Sequence, residues 1–114
     1  MKIATGIDVV YIPRFRAVLK QDGEKFLERV YLREELSDQG VQHLAGIFAA
    51  KEAVMKALDL SKNSWHSIII KNKQNGAPFV EIGDYEGKIT SSSLSIAHDK
   101  AYVIAQFVAL LVLC

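Results

Sequence analysis

The chain has 114 residues, half of them hydrophobic, and its 14 basic and 13 acidic side chains give a formal net charge of +1. This length predicts one domain, spanning residues 1–114, that can bury a core of its own. The balanced charge argues against broad electrostatic binding to nucleic acid, which requires a basic face to offset the phosphates.

The two ends of the chain argue against secretion and membrane insertion. In the start, MKIATGIDVVYI, Asp8 interrupts the apolar run that a signal peptide needs. The C-terminal run VIAQFVALLVLC has only 12 residues, too few to span a bilayer. The single cysteine, Cys114, cannot form an internal disulfide, which fits a reducing compartment. We therefore expect a cytoplasmic protein without membrane association.

The first half of the chain predicts a strand followed by helices. KIATGIDVVYI is rich in β-branched residues and leads to Pro13, which a helix accepts in its first turn. PRFRAVLK begins that helix, QDG at 21–23 ends it, and a second short helix covers residues 24–30. From about Val41 to Leu60 the pattern predicts a long central helix, whose five alanines permit close packing.

The second half predicts strands. WHSIIIKN forms one strand, KQNGAP a turn centred on Asn75 and Gly76, and FVEI the returning strand. SLSIAH and AYVIAQFVALLV flank Asp99 and Lys100, a polar break short enough to join antiparallel strands. This order indicates an α+β fold in which an antiparallel sheet packs on the long central helix.

A basic stretch lies between residues 13 and 33, where six lysines and arginines stand against three acidic residues. This stretch, which includes Arg14, Arg16 and Lys20, is the best candidate in the chain for contact with an acidic partner. A solvated helix face would explain the same composition equally well.

Two carboxylates occupy apolar surroundings. Asp8 lies within the first strand and Glu52 within the central helix, where an unpaired carboxylate costs roughly several kcal/mol. Asp8 could form a buried salt bridge or an Asx turn, and Glu52 could pair with Lys56 one helical turn later. Alternatively, the two carboxylates could share magnesium, a hard cation that takes few carboxylates and fills its other positions with water and phosphate oxygens.

Other chemical motifs are weak or absent. His98 shares a strand face with Leu94 and Ile96, where a histidine is more often packed than catalytic. His43, His66 and His98 are too scattered for a zinc site. Neither GxGxxG nor GxxxxGK[ST] occurs, so a bound nucleotide would be held in another way.

Four segments taken together carry a resemblance to a known family. GIDVVYIPRF, LAGIFAAKEAVMKAL, NGAP and LSIAHDKAYVIA follow in this order over nearly the whole chain. This combination resembles the holo-acyl-carrier-protein synthases, the short trimeric type of 4′-phosphopantetheinyl transferase. The GID segment together with FAAKEA is more specific than either piece alone.

The resemblance implies magnesium-dependent transfer of 4′-phosphopantetheine from coenzyme A to a serine of an acyl carrier protein. It implies that Asp8 and Glu52 hold magnesium, that Lys56 faces the phosphates, and that His98 lies near the coenzyme. The NGAP segment adds Asn75, Gly76 and Pro78 to the expected coenzyme site. Arg14, with Arg16 and Lys20, is expected to meet the acidic carrier. Family members of this type are homotrimers with sites at subunit interfaces.

The chain also departs from the family pattern. Many relatives carry arginine where this chain has Ile47, and SISHS or a similar segment where it has SIAHD, which contains Ala97 and Asp99. These changes bear on coenzyme affinity more than on the fold. Two other functions remain open here: a non-catalytic trimer that binds an acidic helical partner through residues 13–33, and a magnesium-dependent nucleotide-binding protein with another substrate.

Overall fold

The structure, a computed structural model, describes residues 1–83, 85 and 88–112. Cys114, whose thiol the sequence analysis assigned to a reducing compartment, lies outside the described residues. The fold is α+β, as predicted. Its helices and longer strands follow in this chain order: β1 (Lys2–Tyr11), α1 (Ile12–Val30), α2 (Val41–Leu58), β2 (Ile68–Asn72), β3 (Pro78–Ile82), β4 (Lys88–Asp99) and β5 (Tyr102–Val112).

The main sheet is antiparallel and has the strand order β1-β5-β4. Asp8 on β1 lies opposite Ala105 on β5, and His98 on β4 lies opposite Val103 on β5. β2 and β3 form a separate antiparallel hairpin. Because β5 is the central strand, β1 and β4 form the two opposite edges of the sheet.

The core lies between the main sheet and α2. Successive side chains of a strand point to opposite faces, and the alternate residues Val103, Ala105 and Phe107 of β5 are fully buried. On the facing helix, four of the five predicted alanines have no exposed surface: Ala45, Ala49, Ala50 and Ala53. These small side chains let α2 approach the sheet closely along much of its length.

The closest approach of α2 to the sheet is at Gly6 of β1. A Cβ atom built on Gly6 would lie 1.9 Å from the carbonyl oxygen of Ala53 and 2.9 Å from the backbone nitrogen of Ala57. No side chain fits in that space, so the backbone of β1 lies directly against the backbone of α2. This contact fixes which α2 residues neighbour β1.

A fully buried ion pair, formed by Lys51 and Glu35, also fixes the position of α2. Lys51 Nζ lies 2.7 Å from Glu35 Oε1, and neither side chain has any exposed surface. The ammonium also donates to the carbonyl oxygens of Val30 at 2.6 Å and Trp65 at 3.0 Å, so its three hydrogens all have acceptors. Glu35 accepts a further hydrogen bond from the backbone N–H of Ile70. The pair therefore ties α2 to the segments before and after it.

Several boundaries differ from the sequence-based predictions. Trp65–Ser67 form a short 3₁₀ turn, and the strand that was predicted to begin there starts at Ile68. The central helix ends at Leu58 because Asp59 adopts a left-handed conformation, with φ of 53°. α1 has a kink at Gly23, which confirms the predicted break. In the described part of the chain, no helix combines the length and apolarity needed to cross a bilayer.

We predict that Gly6→Ala strongly destabilises the fold, because its methyl group must push β1 away from the α2 backbone. We expect a loss of about 3 kcal/mol or more, measured as a lower melting temperature by circular dichroism. Gly46→Ala is the matched control, since its added Cβ would lie no closer than 3.6 Å to a neighbouring side chain and it sits within a helix. A Gly6→Ala variant that melts with the parent would disprove the close approach.

Candidate active site

Three of the predicted site residues meet in one cleft beside β1. Asp8 follows Gly6 by two positions and therefore faces α2, where Glu52 and Lys56 project one helical turn apart. The cleft has a volume of about 300 Å³. The structure thus brings Asp8, Glu52 and Lys56 together, as the sequence analysis expected.

The ion pairing in this cleft differs from one of the alternatives considered above. Lys56 Nζ donates to Asp8 Oδ1 at 3.0 Å and to the carbonyl oxygen of Ile7 at 3.0 Å. Within the described part of the chain, Glu52 has no ion pair within 4.0 Å. Lys56 therefore compensates Asp8 across two elements, and it does not pair with Glu52 along the helix.

Glu52 has an unfavourable electrostatic environment for a carboxylate. Partial burial raises the pKa of Glu52 above its ordinary value, and the negative charge of Asp8 raises it further. The charges of Lys56 and Lys62 act in the opposite direction but do not cancel these effects. Two carboxylates thus face one cleft, and the charge of Asp8 disfavours ionisation of Glu52.

This donor set fits magnesium better than zinc. Two carboxylates and an open, polar mouth offer hard oxygen ligands and leave positions for water and phosphate oxygens. Among residues 1–83, 85 and 88–112, no group of three or more histidine, cysteine, aspartate or glutamate side chains is arranged to hold a metal by itself. A cation here would need oxygens from outside the protein.

The rest of the same cleft is apolar and is bordered by α1. Phe15, Val18, Phe26 and Phe48 line it, so an apolar surface continues directly from the two carboxylates. Arg14 stands at this cleft, with its guanidinium carbon 5.7 Å from the centre of the Tyr11 ring. The cleft thus combines a charged end, an apolar wall and one exposed arginine.

His98 lies in a different cleft, beside β4. It projects toward α2, where its Nε2 would lie 3.9 Å from a Cβ built on Gly46. This cleft of about 240 Å³ is also lined by Ile47 and by Pro78. Of the predicted coenzyme residues, Pro78 is therefore beside His98.

The remaining predicted residues lie further out. Asn75 and Gly76 form the tip of the β2–β3 hairpin, where Gly76 adopts a φ of 90° that favours glycine. Neither lines the His98 cleft. Arg16 borders an open cleft with His98, whereas Lys20 is exposed on α1 and lines neither cleft. Their proposed roles remain predictions.

Within one chain, the structure does not unite the two sets of predicted residues. Asp8, Glu52 and Lys56 lie beside β1, whereas His98 and Pro78 lie beside β4, with the central strand β5 between them. One copy therefore presents two partial sites at opposite edges of its sheet, both on the face covered by α2.

The buried pair of Lys51 and Glu35 was not predicted, although the sequence contained a signal for it. Lys51 stands in a run of alanines that the structure buries completely, and a lysine there requires a buried acidic partner. The identity of that partner, 16 positions earlier in the chain, could not be read from helical spacing. Lys62, whose charge lowers the pKa of Glu52, was not predicted as a neighbour of the site either.

The fold is that of a phosphopantetheine-transferring class of enzymes. A sequence profile of the 4′-phosphopantetheinyl transferase superfamily matches residues 4–107. The chain belongs to this superfamily.

Particular relatives are similar over almost the full length. The holo-acyl-carrier-protein synthase of Geobacillus sp. (strain WCH70) is 40% identical over 118 residues, covering 95% of this chain and 96% of that protein. The one from Thermodesulfovibrio yellowstonii is 37% identical over 106 residues, covering 88% and 91%. The crystal structure of Helicobacter pylori holo-acyl-carrier-protein synthase in complex with coenzyme A is similar with a TM-score of 0.82 and 34% identity, covering 93% and 99%.

We predict that Glu52→Gln stabilises the metal-free protein at neutral pH. Because its pKa is raised in the folded state, ionised Glu52 lowers stability as the pH rises. This penalty is absent below the ordinary glutamate pKa of about 4.3 and is complete above the raised value. Thermal melts in chelator should therefore show Glu52→Gln a few degrees above the parent at neutral pH, with the gap closing in acid.

Glu28→Gln, an exposed change on α1, is the control for loss of one negative charge at the surface. If Glu52→Gln melted below the parent in chelator, the Glu52 carboxylate would stabilise the fold by itself. Its position near Asp8 would then be no evidence for a metal site.

Proposed function

We propose that this chain is a holo-acyl-carrier-protein synthase that transfers 4′-phosphopantetheine from coenzyme A to a serine of an apo acyl carrier protein. The convergence of Asp8, Glu52 and Lys56 in one cleft carries this proposal. Membership of the superfamily and relatives that bear this name support it. The Helicobacter pylori relative binds coenzyme A in its crystal structure, which supports the same donor here.

The residues of the cleft have distinct roles in this proposal. Asp8 and Glu52 would hold magnesium, which when bound supplies charge neutralisation at the diphosphate of coenzyme A. Lys56, exposed over about half of its side chain, is the cation in the cleft that is able to turn from Asp8 toward a phosphate oxygen. Phe48 and the apolar wall exclude water from one side of the cleft.

The reaction forms one phosphorus–oxygen bond and breaks another. The serine oxygen of the carrier attacks the β-phosphorus, and the bond from that phosphorus to the bridging oxygen of the diphosphate breaks. Adenosine 3′,5′-bisphosphate leaves with that oxygen, and the serine proton passes to Glu52 or to a water held by a carboxylate. Lys56 offsets the negative charge of the departing phosphate.

A homotrimer would complete the site, because it would join the two partial sites of neighbouring copies. A contact between the β1 edge of one copy and the β4 edge of the next is heterologous, and such a contact forms a ring when a threefold rotation relates the copies. The outer face of the main sheet supports association, since it exposes several large apolar side chains on two adjacent strands. Its members are Ile3, Ile7, Val9 and Tyr11 of β1 and Tyr102, Ile104, Val108 and Val112 of β5.

The proposed carrier surface is the start of α1. Arg14 borders the cleft that contains Asp8, Glu52 and Lys56, and most of the apolar wall of this cleft is formed by α1 side chains. An acidic carrier protein would meet a positive charge at the rim and an apolar surface behind it. This arrangement would deliver the carrier serine to the carboxylate end of the cleft.

A reducing cytoplasm suits such a protein with its single cysteine.

The decisive experiment is intact-mass spectrometry of an apo acyl carrier protein incubated with this chain, magnesium and coenzyme A. We expect the carrier to gain the mass of one phosphopantetheine group. Asp8→Asn and Glu52→Gln should each lower the rate by about a hundredfold or more, because each removes a charge that the cation requires.

Glu81→Gln is the control, since Glu81 is an exposed carboxylate on β3 that borders none of the clefts described above. It should transfer at nearly the parental rate. A carrier that stays unmodified at every enzyme concentration would contradict the proposed function.

A further inference from the structure

The ammonium of Lys56 is held by two consecutive residues of β1. Its Nζ donates to the carbonyl oxygen of Ile7 and to Oδ1 of Asp8, both at 3.0 Å. The Asp8 side chain is only 17% exposed, so its carboxylate has little contact with water. Lys56 is therefore the cation that compensates Asp8, and the strand backbone offers a second acceptor that keeps the ammonium beside it.

The charge balance of the cleft does not suit a dication while this pair is intact. Asp8 and Glu52 bring two negative charges, and Lys56 offsets one of them. Magnesium carries two positive charges and takes carboxylate oxygens as ligands. At Asp8 it would meet an ammonium of the same sign within 3.0 Å of the carboxylate oxygen, and like charges at so short a distance repel strongly. Lys56 and a dication therefore compete for Asp8.

Lys56 has the freedom to leave this pair, as a comparison with the other lysine of the same helix shows. The Lys51 side chain has no exposed surface, and acceptors inside the core take all three of its ammonium hydrogens. The Lys56 side chain is 54% exposed, so its rotation disturbs no core contact and takes place rapidly. Lys51 is thus fixed, whereas Lys56 is able to exchange Asp8 for another acceptor in the cleft.

We propose that Lys56 controls the access of magnesium to Asp8 and thereby couples metal binding to donor binding. While its ammonium is paired with Asp8, the affinity of the cleft for magnesium is low. A phosphate oxygen of the donor that accepts the ammonium frees Asp8 for the metal. By linkage, donor and metal then each raise the affinity of the protein for the other. This inference rests on the proposed function, in which the donor carries a diphosphate.

The test is a calorimetric titration of magnesium into the chain without donor. We expect Lys56→Met to bind magnesium roughly tenfold more tightly than the parent, because the variant has no ammonium at Asp8. Lys56→Gln should behave in the same way, although its amide is able to donate to the Ile7 carbonyl oxygen, so the gain follows the charge rather than the hydrogen bond. Circular dichroism verifies that both variants are folded.

Two control variants separate this competition from a general loss of positive charge. Lys62→Met removes an exposed charge that acts on Glu52, and among the described residues Lys62 forms no ion pair with Asp8. Lys71→Met breaks an exposed pair with Glu81, in which Nζ lies 3.1 Å from Oε2. Each control should change the magnesium affinity by less than about threefold, as is usual for exposed charges.

A second titration, in saturating coenzyme A, measures the coupling itself. The donor should raise the magnesium affinity of the parent by a larger factor than that of Lys56→Met, in which Asp8 is already free. If both neutral variants bind magnesium no more tightly than Lys62→Met, the inference is wrong, whether or not the carrier is modified. If the magnesium affinities follow the expected pattern but the carrier gains no mass, the proposed function is wrong while the competition at Asp8 stands.

Discussion

The backbone contact between β1 and α2 at Gly6 is the constraint on which the site depends. Since a side chain at Gly6 would overlap the Ala53 carbonyl, β1 lies directly on the helix, and Asp8, two residues later, reaches the same cleft as Glu52. The buried pair of Lys51 and Glu35 holds the other side of α2. Breaking such a pair by removing one partner costs about 3–5 kcal/mol, so the helix has little freedom to rotate Glu52 away.

The strand order explains why one copy carries two incomplete sites. Any residue on β1 is separated from any residue on β4 by the full width of β5, so Asp8 and His98 both face α2 but lie at opposite edges of the sheet. The proposed ring of copies would both cover the exposed apolar side chains of β1 and β5 and join the separated clefts. In that account, the half-site beside β1 supplies the chemistry and the half-site beside β4 holds the far end of the coenzyme.

Much of this could be predicted from local sequence patterns. Strand alternation placed Asp8 and His98, and helical spacing placed Glu52 and Lys56 on one face. Their ion pairs were harder to predict, because the partner of Lys56 is Asp8, 48 positions away, and helical spacing identifies only neighbours along the helix. The partner of Lys51 and the separation of the two clefts depend on tertiary packing, which no local pattern encodes.

Subunit complementation tests the divided site most directly. Lys56→Ala impairs only the half-site beside β1, and His98→Ala impairs only the half-site beside β4, so each homogeneous protein should be nearly inactive. After the two variants exchange subunits in an equal mixture, about a quarter of the interfaces in a ring should combine two intact halves, and phosphopantetheine transfer should recover to that level. A mixture no more active than either variant alone would contradict the account, because it would mean that both sets of residues act within one chain.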